Sequence, residues 1–250
     1  KNNRRYVITD SNTAELIKYA CNSFLALKIS YMNELANICE LIDGNIKDLE
    51  KGMGTDKRIG KYFLKSGVGY GGSCFPKDTK ALSWLASFND YEIKTVKAAI
   101  EVNENQKLKL IKKARKYYES LEGLTVAVLG LTFKPNTDDL RESPSFTNIP
   151  ILLDDGAIVK AYDPIGENNF KKYYPNEITY CSTIEDTLKD ADLCLILTEW
   201  NEIKQLDLSV YEKLMKKPIV LDGRNCYNLD EVKKTNIVYD SIGRKTINNI

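Results

Sequence analysis

The 250-residue sequence contains no histidine, and this absence removes several kinds of chemistry at once. No Ser-His-Asp or Cys-His catalytic pair can form within the chain, and zinc sites built on imidazole are excluded. Any acid–base step must therefore use lysine, carboxylate, cysteine, tyrosine or water. The six cysteines show neither CxxC spacing nor a cluster that would replace histidine as a ligand, so we predict no metal site.

Long apolar runs and an excess of charge of one sign are missing as well. No segment approaches the roughly 18–20 apolar residues that a membrane span needs. The basic start at residues 1–5 is followed by no apolar signal core. The formal net charge of +1 provides no field that would draw the chain to nucleic acid or to a membrane surface. The composition therefore predicts a cytoplasmic protein with reduced thiols and without nucleic-acid or membrane partners.

Hydrophobic periodicity predicts that the first half of the chain is helical. Between residues 12 and 43, apolar residues recur at spacings of three and four, which indicates one long helix. Shorter helices are predicted over 46–51, from Pro76 to about 86, and from about 95 to 118. The long helix is apolar around much of its circumference, so a domain core or a partner subunit must cover it. We assign residues 10–120 to a helical central domain.

After Gly123 the pattern changes to short, apolar, β-branched runs that are separated by a helical stretch at about 145–155. Four such runs are predicted to be strands: residues 124–130, 158–162, 193–198 and 219–221. Strands that alternate with helices are typical of a doubly wound parallel sheet. The predicted fold class is therefore α/β, with the helical domain followed by a Rossmann-like domain over residues 121–250.

The most informative segment is a glycine-rich stretch around Cys74, Gly67-Val-Gly-Tyr-Gly-Gly-Ser-Cys-Phe-Pro-Lys-Asp78. Its glycines allow strained backbone conformations and a close approach to a ligand. Pro76 suits the first turn of a helix, so Cys74 is expected just before a helix start, where free N–H groups favour a thiolate. A thiolate near the Asp78 carboxylate suits covalent attack on a carbonyl followed by hydrolysis. From the residues alone, a buried and inert cysteine in a glycine-rich turn is the alternative.

Four stretches, in order along the chain, resemble the UDP-glucose 6-dehydrogenases. They are residues 14–22 with Lys28-Ile-Ser and Asn33-Glu34, then the glycine-rich stretch, then Gly130 to Ser143, and Asp222-Gly-Arg-Asn225. The resemblance covers residues 10–226 and implies a dimerising central domain with the catalytic cysteine, followed by a UDP-sugar-binding domain. No GxGxxG motif follows a strand, so we expect the family's N-terminal NAD-binding Rossmann domain to be missing and the chain to be a piece of a longer protein.

The resemblance implies an NAD-dependent oxidation of UDP-glucose to UDP-glucuronate in two steps, through a thiohemiacetal and a thioester on Cys74. Lys18 and Asn22 would stabilise developing oxyanions from one helix face, and Asp78 would position or activate water. Substrate contacts carry over to eight residues: Lys18, Asn22, Arg58, Lys65, Tyr70, Gly71, Lys134 and Arg224. Cofactor contacts carry over to Cys74, Lys77 and Arg141.

Three details of this assignment concern the substrate contacts. The cationic residues suit a pyrophosphate, and the N–H groups of the glycine-rich stretch suit phosphate and sugar oxygens. Arg58 matches an arginine that reaches the sugar bound by the neighbouring subunit. Tyr70 and the Ser73-Cys74-Phe75-Pro76 context look closer to the UDP-glucose branch than to the GDP-mannose or UDP-N-acetylhexosamine dehydrogenases, which are the alternatives within the class.

A different class of protein, a non-catalytic dimeric module that binds a nucleotide sugar, is also compatible with the sequence. The chain by itself is expected to be inactive, because the Rossmann unit that orients nicotinamide is not in it. It is still expected to form a homodimer through the long helix, because a two-fold interface would hide the apolar surface of that helix.

Overall fold

The computed structural model describes residues 6–250, which fold into a helical unit followed by a seven-stranded sheet. The helical unit contains α1 Ser11–Leu41, α2 Ile46–Thr55, α3 Cys74–Phe88, α4 Lys94–Lys107 and α5 Lys109–Ala114. The strands are β1 Thr125–Leu129, β2 Ile158–Tyr162, β3 Thr179–Tyr180, β4 Leu193–Ile196, β5 Ile219–Asp222, β6 Val238–Ser241 and β7 Ile247–Asn248. The helices between them are α6 Ser145–Asp154, α7 Glu167–Phe170, α8 Ile184–Leu188, α9 Asn201–Lys204, α10 Ser209–Leu214 and α11 Leu229–Val232.

The 31-residue helix α1 confirms the prediction made from its apolar periodicity. It begins after Asp10, whose side chain accepts a hydrogen bond from the Thr13 N–H at 2.9 Å. Its inner face packs on α3 and α4, with Ala26, Met32 and Ala36 fully buried. This packing places the first turns of α1 beside the first turn of α3, which carries the thiol.

Two predicted helix boundaries are wrong, and tertiary contacts explain both. The helix predicted over 95–118 is divided at Leu108, next to Lys107, whose buried ammonium lies 3.0 Å from Glu104 and 2.9 Å from Glu142. This ion pair fastens the end of α4 to the loop after β1. The helix predicted to end at residue 51 continues to Thr55, because Leu49 and Met53 pack on the core and outweigh the weak helix propensity of glycine.

The sheet has the strand order β3-β2-β1-β4-β5-β6-β7, and only the last pair is antiparallel. Successive residues of a strand point to opposite faces of the sheet, where they join two different hydrophobic clusters. On β1, Val126 and Val128 join one buried cluster, whereas Ala127 and Leu129 join the cluster on the other face. Helices cover both faces, so the predicted doubly wound parallel sheet is confirmed.

Strand order reverses between β1 and β4, and the crevice outside the carboxyl ends of such strands is where open α/β sheets bind ligands. The glycine-rich loop, residues 66–73, packs on this edge. A Cβ added to Gly67 would lie 3.0 Å from the Gly223 carbonyl, which follows β5. The fold thus brings the loop of the helical unit to the ligand-binding edge of the sheet. None of the helices within residues 6–250 is long and apolar enough to cross a membrane.

Candidate active site

Cys74 is the first residue of α3, one position further into the helix than the sequence predicted. Pro76 is tolerated in this turn because the N–H groups of a first helical turn have no intrahelical partner. The thiol is exposed, and its Sγ lies 3.9 Å from the Ser73 hydroxyl. The positive end of a 15-residue helix therefore lies beside an accessible sulfur.

Asp78 lies one turn further along α3 and is only 2% exposed. Its Oδ2 accepts hydrogen bonds from Lys18 Nζ at 2.8 Å and from Asn22 Nδ2 at 2.5 Å, both on α1. Burial alone would raise the pKa of this carboxyl, but the bonds from Lys18 and Asn22 outweigh it and hold the pKa below its usual value. The Asp78 bond raises the pKa of Lys18, and the charge of Cys74 adds to this effect. The structure thus groups the four predicted catalytic side chains at one junction of two helices.

Side chains, rather than secondary structure, satisfy the backbone of the buried glycine-rich loop. Asn103 of α4 accepts the Tyr70 N–H at 2.8 Å and donates to the Tyr70 carbonyl at 3.1 Å. A Cβ on Gly69 would lie 2.8 Å from the Asn103 side-chain oxygen, and the φ of +84° also favours glycine there. Three further bonds join Glu50 to the Ser66 N–H, Asn33 to the Gly67 N–H and Gln106 to the Gly67 carbonyl.

These bonds narrow the expectation that the N–H groups of the loop serve phosphate and sugar oxygens, because four of those groups are already bonded within the chain. The N–H groups of Ser66, Gly67 and Tyr70 are used by side chains, and that of Gly72 donates to the Arg141 carbonyl at 2.7 Å. The supporting residues were missed because each is a single polar residue in a helical pattern, far from the loop in sequence.

A groove of about 430 Å³ runs between the loop and the carboxyl edge of the sheet. Five predicted substrate residues line it: Lys65, Tyr70, Gly71, Lys134 and Arg224. Lys47 and Lys204 add two cations that the sequence analysis missed, since isolated lysines resemble ordinary surface charge. A cavity of about 500 Å³ that holds Cys74 adjoins the groove, because Phe75, Phe133 and Lys134 line both. The groove thus offers several cations, with the carboxylate of Glu199 among them, and Lys134 is the cation that it shares with the cavity of the thiol.

Arg58, Lys77 and Arg141 lie away from this groove. Arg58 is 91% exposed, and its guanidinium pairs with Asp56 at 2.6 Å, so it does not reach the groove of its own chain. Lys77 lies 3.5 Å from Asp78, and Arg141 pairs with Asp139 at 2.7 Å. The side chains of Lys77 and Arg141 are both exposed.

The described residues leave Cys74 accessible to the reacting end of a dinucleotide cofactor but offer no cradle for its phosphates in the turn after β1. Lys77 and Arg141, the predicted cofactor residues near Cys74, are exposed, and each lies close to a carboxylate. The turn after β1, which could cradle phosphates in a dinucleotide-binding unit, is filled instead: a Cβ on Gly130 would collide with Thr198. Within residues 6–250, no three His, Cys, Asp or Glu side chains are placed to hold a metal ion.

Alkylation of the folded chain with iodoacetamide near neutral pH is expected to label Cys74 first and Cys21 second. These two thiols are exposed, and only Cys74 stands at a helix start. Burial raises the pKa of Cys39, Cys194 and Cys226, so their thiolate forms are scarce as well as shielded. Peptide mapping at short reaction times measures the order, and labelling of Cys194 ahead of Cys74 would contradict the assignment.

An accessible thiol beside a lysine–carboxylate pair, facing a cationic groove on a Rossmann-like sheet, is the architecture of the nucleotide-sugar dehydrogenases. Two family models agree: the central domain of the UDP-glucose/GDP-mannose dehydrogenase family matches residues 12–105, and the UDP-binding domain of that family matches residues 127–229. Together they account for most of the chain. The chain belongs to the UDP-glucose/GDP-mannose dehydrogenase family.

Individual relatives agree with this membership. The UDP-glucose 6-dehydrogenase YwqF of Bacillus subtilis is 48% identical over 239 residues, which are 96% of this chain and 54% of that protein. The UDP-glucose 6-dehydrogenase of Rickettsia conorii is 44% identical over 243 residues, 96% of this chain and 56% of that protein. A UDP-glucose dehydrogenase structure from Pyrobaculum islandicum superposes with a TM-score of 0.86 at 33% identity, covering 96% of this chain and 53% of its own. The chain spans about half the length of the curated relatives it matches.

Proposed function

We propose that the chain is the thiol-bearing and UDP-sugar-binding part of a UDP-glucose 6-dehydrogenase. The observation that carries this proposal is that the cationic groove and the cavity of Cys74 adjoin and share lining residues. A nucleotide sugar whose diphosphate lies among the lysines can direct its sugar towards the sulfur. The names of the relatives from Bacillus subtilis and Rickettsia conorii favour UDP-glucose as that sugar.

The proposed reaction oxidises the sugar C6 alcohol to an aldehyde, which the Cys74 sulfur captures as a thiohemiacetal. A second oxidation gives a thioester, and water releases the carboxylate. An NAD cofactor, when bound, supplies the electron acceptor for each oxidation. Lys18 has three N–H donors and Asn22 has two, and Asp78 takes one from each. The remaining donors are free to stabilise a developing oxyanion, and Asp78 keeps both side chains in place.

The proposed roles are divided between the two parts of the fold. We assign residues 10–120 to the dimerising, thiol-bearing domain and residues 121–250 to the UDP-sugar-binding domain. Supporting this division, α5 ends at Ala114 and β1 begins at Thr125. The groove lies between the two parts, so each contributes cations to it: Lys65 from the first, Lys134 from the second.

The chain alone is expected to bind UDP-glucose and to produce no NADH when NAD is added, because it spans only half of the relatives. Calorimetry should show that Lys134→Ala weakens UDP-glucose binding about tenfold, the usual effect of losing one charge-assisted contact. Lys213→Ala, an exposed lysine of α10, is the matched control and should bind as the unchanged chain does. Equal affinities of the unchanged chain, Lys134→Ala and Lys213→Ala for UDP-glucose would contradict the assignment of the groove as the binding site. Tighter binding of GDP-mannose would favour the alternative within the family.

We also propose a homodimer through α1. The outer face of this helix exposes Ile17, Phe24, Tyr31 and Ile38 at seven-residue spacing, which is the pattern of a helix seam. Light scattering is expected to give about twice the 28.4 kDa chain mass. Phe24→Asp should shift the chain to monomer, whereas Tyr173→Asp, which charges an exposed aromatic of the sheet domain, should not. A monomeric unchanged chain at micromolar concentration would refute the dimer.

Such a dimer gives Arg58 a role that its own chain does not offer. Asp56 binds both Nε and Nη2 of Arg58, at 3.0 and 2.6 Å, and so holds an exposed guanidinium in a fixed direction. We propose that it contacts the sugar in the groove of the partner subunit.

A further inference from the structure

Arg224 joins the loop that precedes Cys74 to the ends of two strands. Its Nε donates to the Leu197 carbonyl after β4 at 2.8 Å, and Nη1 donates to the Gly69 carbonyl of the glycine-rich loop at 3.2 Å. Nη2 lies 3.4 Å from the Phe133 carbonyl after β1. The side chain is only 13% exposed. One planar group with fixed donor directions therefore connects three segments that meet at the groove.

The backbone of Arg224 is itself held firmly. Asp222, which is fully buried, accepts the Arg224 N–H at 2.7 Å and the Cys226 N–H at 2.6 Å. The Tyr239 hydroxyl donates to the same carboxylate, and Arg244 donates to that hydroxyl at 2.8 Å. The backbone that carries the guanidinium is therefore supported from β5 and β6, and the hydrogen bond to the Gly69 carbonyl connects the side chain to the helical unit.

The same guanidinium lines the cationic groove together with Lys65 and Lys134. A Cβ on Gly67 would lie 3.3 Å from its Nη1, so the loop backbone and the charged group are in close contact. An anion in the groove would bind the group that also holds the loop. If order in the glycine-rich loop favours binding of the anion, binding of the anion must favour order in the loop to the same extent. Anion binding and loop order should therefore be coupled.

We infer that Arg224 is a positioning residue: it holds the glycine-rich loop against the sheet and transmits occupancy of the groove by a diphosphate to the loop that presents Cys74. This inference rests on the proposed function for the identity of the anion. Arg224 acts on the thiol through Gly69 and through the loop that Asn103 supports, without contact with the sulfur.

Hydrogen exchange of the backbone amides tests the inference on the chain as it stands, with UDP as the probe. The informative amides are those of Gly67, Tyr70 and Gly72, which are bonded within the chain. Arg224→Lys keeps a cation for the diphosphate but cannot reach three carbonyls at once. It is expected to speed exchange of these amides about tenfold in the absence of UDP.

Two controls isolate the cause. Lys134→Ala removes a cation of the groove that does not bond to the loop, and Arg115→Ala removes a surface arginine paired with Asp155. Both are expected to leave exchange of the loop amides within about twofold of the unchanged chain. Saturating UDP should slow exchange of the loop amides several-fold in the unchanged chain and in Lys134→Ala. It should not slow exchange in Arg224→Lys. A bond that only holds the loop, without responding to UDP, would not produce this difference.

The outcomes separate this inference from the proposed function. Wild-type loop exchange in Arg224→Lys, or protection by UDP that persists in it, would overturn the inference and leave the groove assignment intact. Failure of UDP to bind the unchanged chain would overturn the proposed function and the coupling. The exchange rates without UDP would then still decide whether Arg224 holds the loop.

Discussion

Replacing Cys74 with alanine is expected to lower acid production by about 10³-fold or more in a full-length protein that contains this chain. The sulfur forms the covalent bond that retains the aldehyde for its second oxidation, and no other cysteine among the described residues lines its cavity. Loss of the nucleophile therefore removes the thioester route altogether. Chromatographic measurement of the uronic acid product, with NADH formation in parallel, gives the size of the effect.

Cys21→Ala is the matched control for this experiment because Cys21 is the other exposed thiol. It is expected to retain acid production close to that of the unchanged enzyme. If Cys74→Ala also retained full acid production, Cys74 would not be the nucleophile, and the aldehyde would have to be oxidised by another route.

Replacing Lys113 with alanine is expected to lower the free energy of unfolding by about 3–5 kcal/mol. Its side chain is 2% exposed, and Nζ lies 2.5 Å from Asp240 and 3.0 Å from Glu40. These contacts join α5 to β6 and α1, so the substitution leaves Asp240 without its cation, and Glu40 with Lys109 alone, where the two parts of the fold meet. Urea unfolding followed by circular dichroism measures the loss.

Lys116→Ala, an exposed neighbour, should change the stability by less than about 0.5 kcal/mol. Burial raises the pKa of Glu40, but Lys113 and Lys109 outweigh it and hold the pKa below the ordinary value of 4.5. Glu40 therefore contributes stability above that value and loses it as the pH falls through its lower folded pKa. The difference between the Lys113 variant and the unchanged chain should narrow in acid, and an equal difference at every pH would contradict this account.

The spacing of apolar residues was sufficient to predict those helices and strands that pack continuously on a hydrophobic core. The helix α1 and the strands β1, β2, β4 and β5 have the expected spacing because each packs continuously on apolar neighbours. The break at Leu108 depends instead on the burial of Lys107 between two carboxylates from different segments. The strand β7 has two residues, too few for any period to be visible.

The candidate active site could be predicted from the sequence where its residues lie in one motif, the glycine-rich stretch around Cys74. Cys74 and Asp78 are close in sequence, and resemblance added Lys18 and Asn22. The contact of Lys18 with Asp78 spans 60 residues, so only the packing of α1 on α3 establishes it. The role of Arg224 in holding Gly69 was hidden for the same reason, since the two are 155 residues apart.

The supports of the glycine-rich loop also bear on how the protein is made. Glu50, Asn33, Asn103 and Gln106 are separated from their loop partners by 16 to 39 residues. During synthesis Cys74 leaves the ribosome before α4, and until that helix docks, the loop has no bonds from Asn103 or Gln106 to set its shape. Contacts of this range form late, because the intervening chain must first be ordered. The newly made thiol is therefore chemically present before its surroundings exist, and its protection from unwanted oxidation in that interval falls to the reducing conditions in which the chain is made.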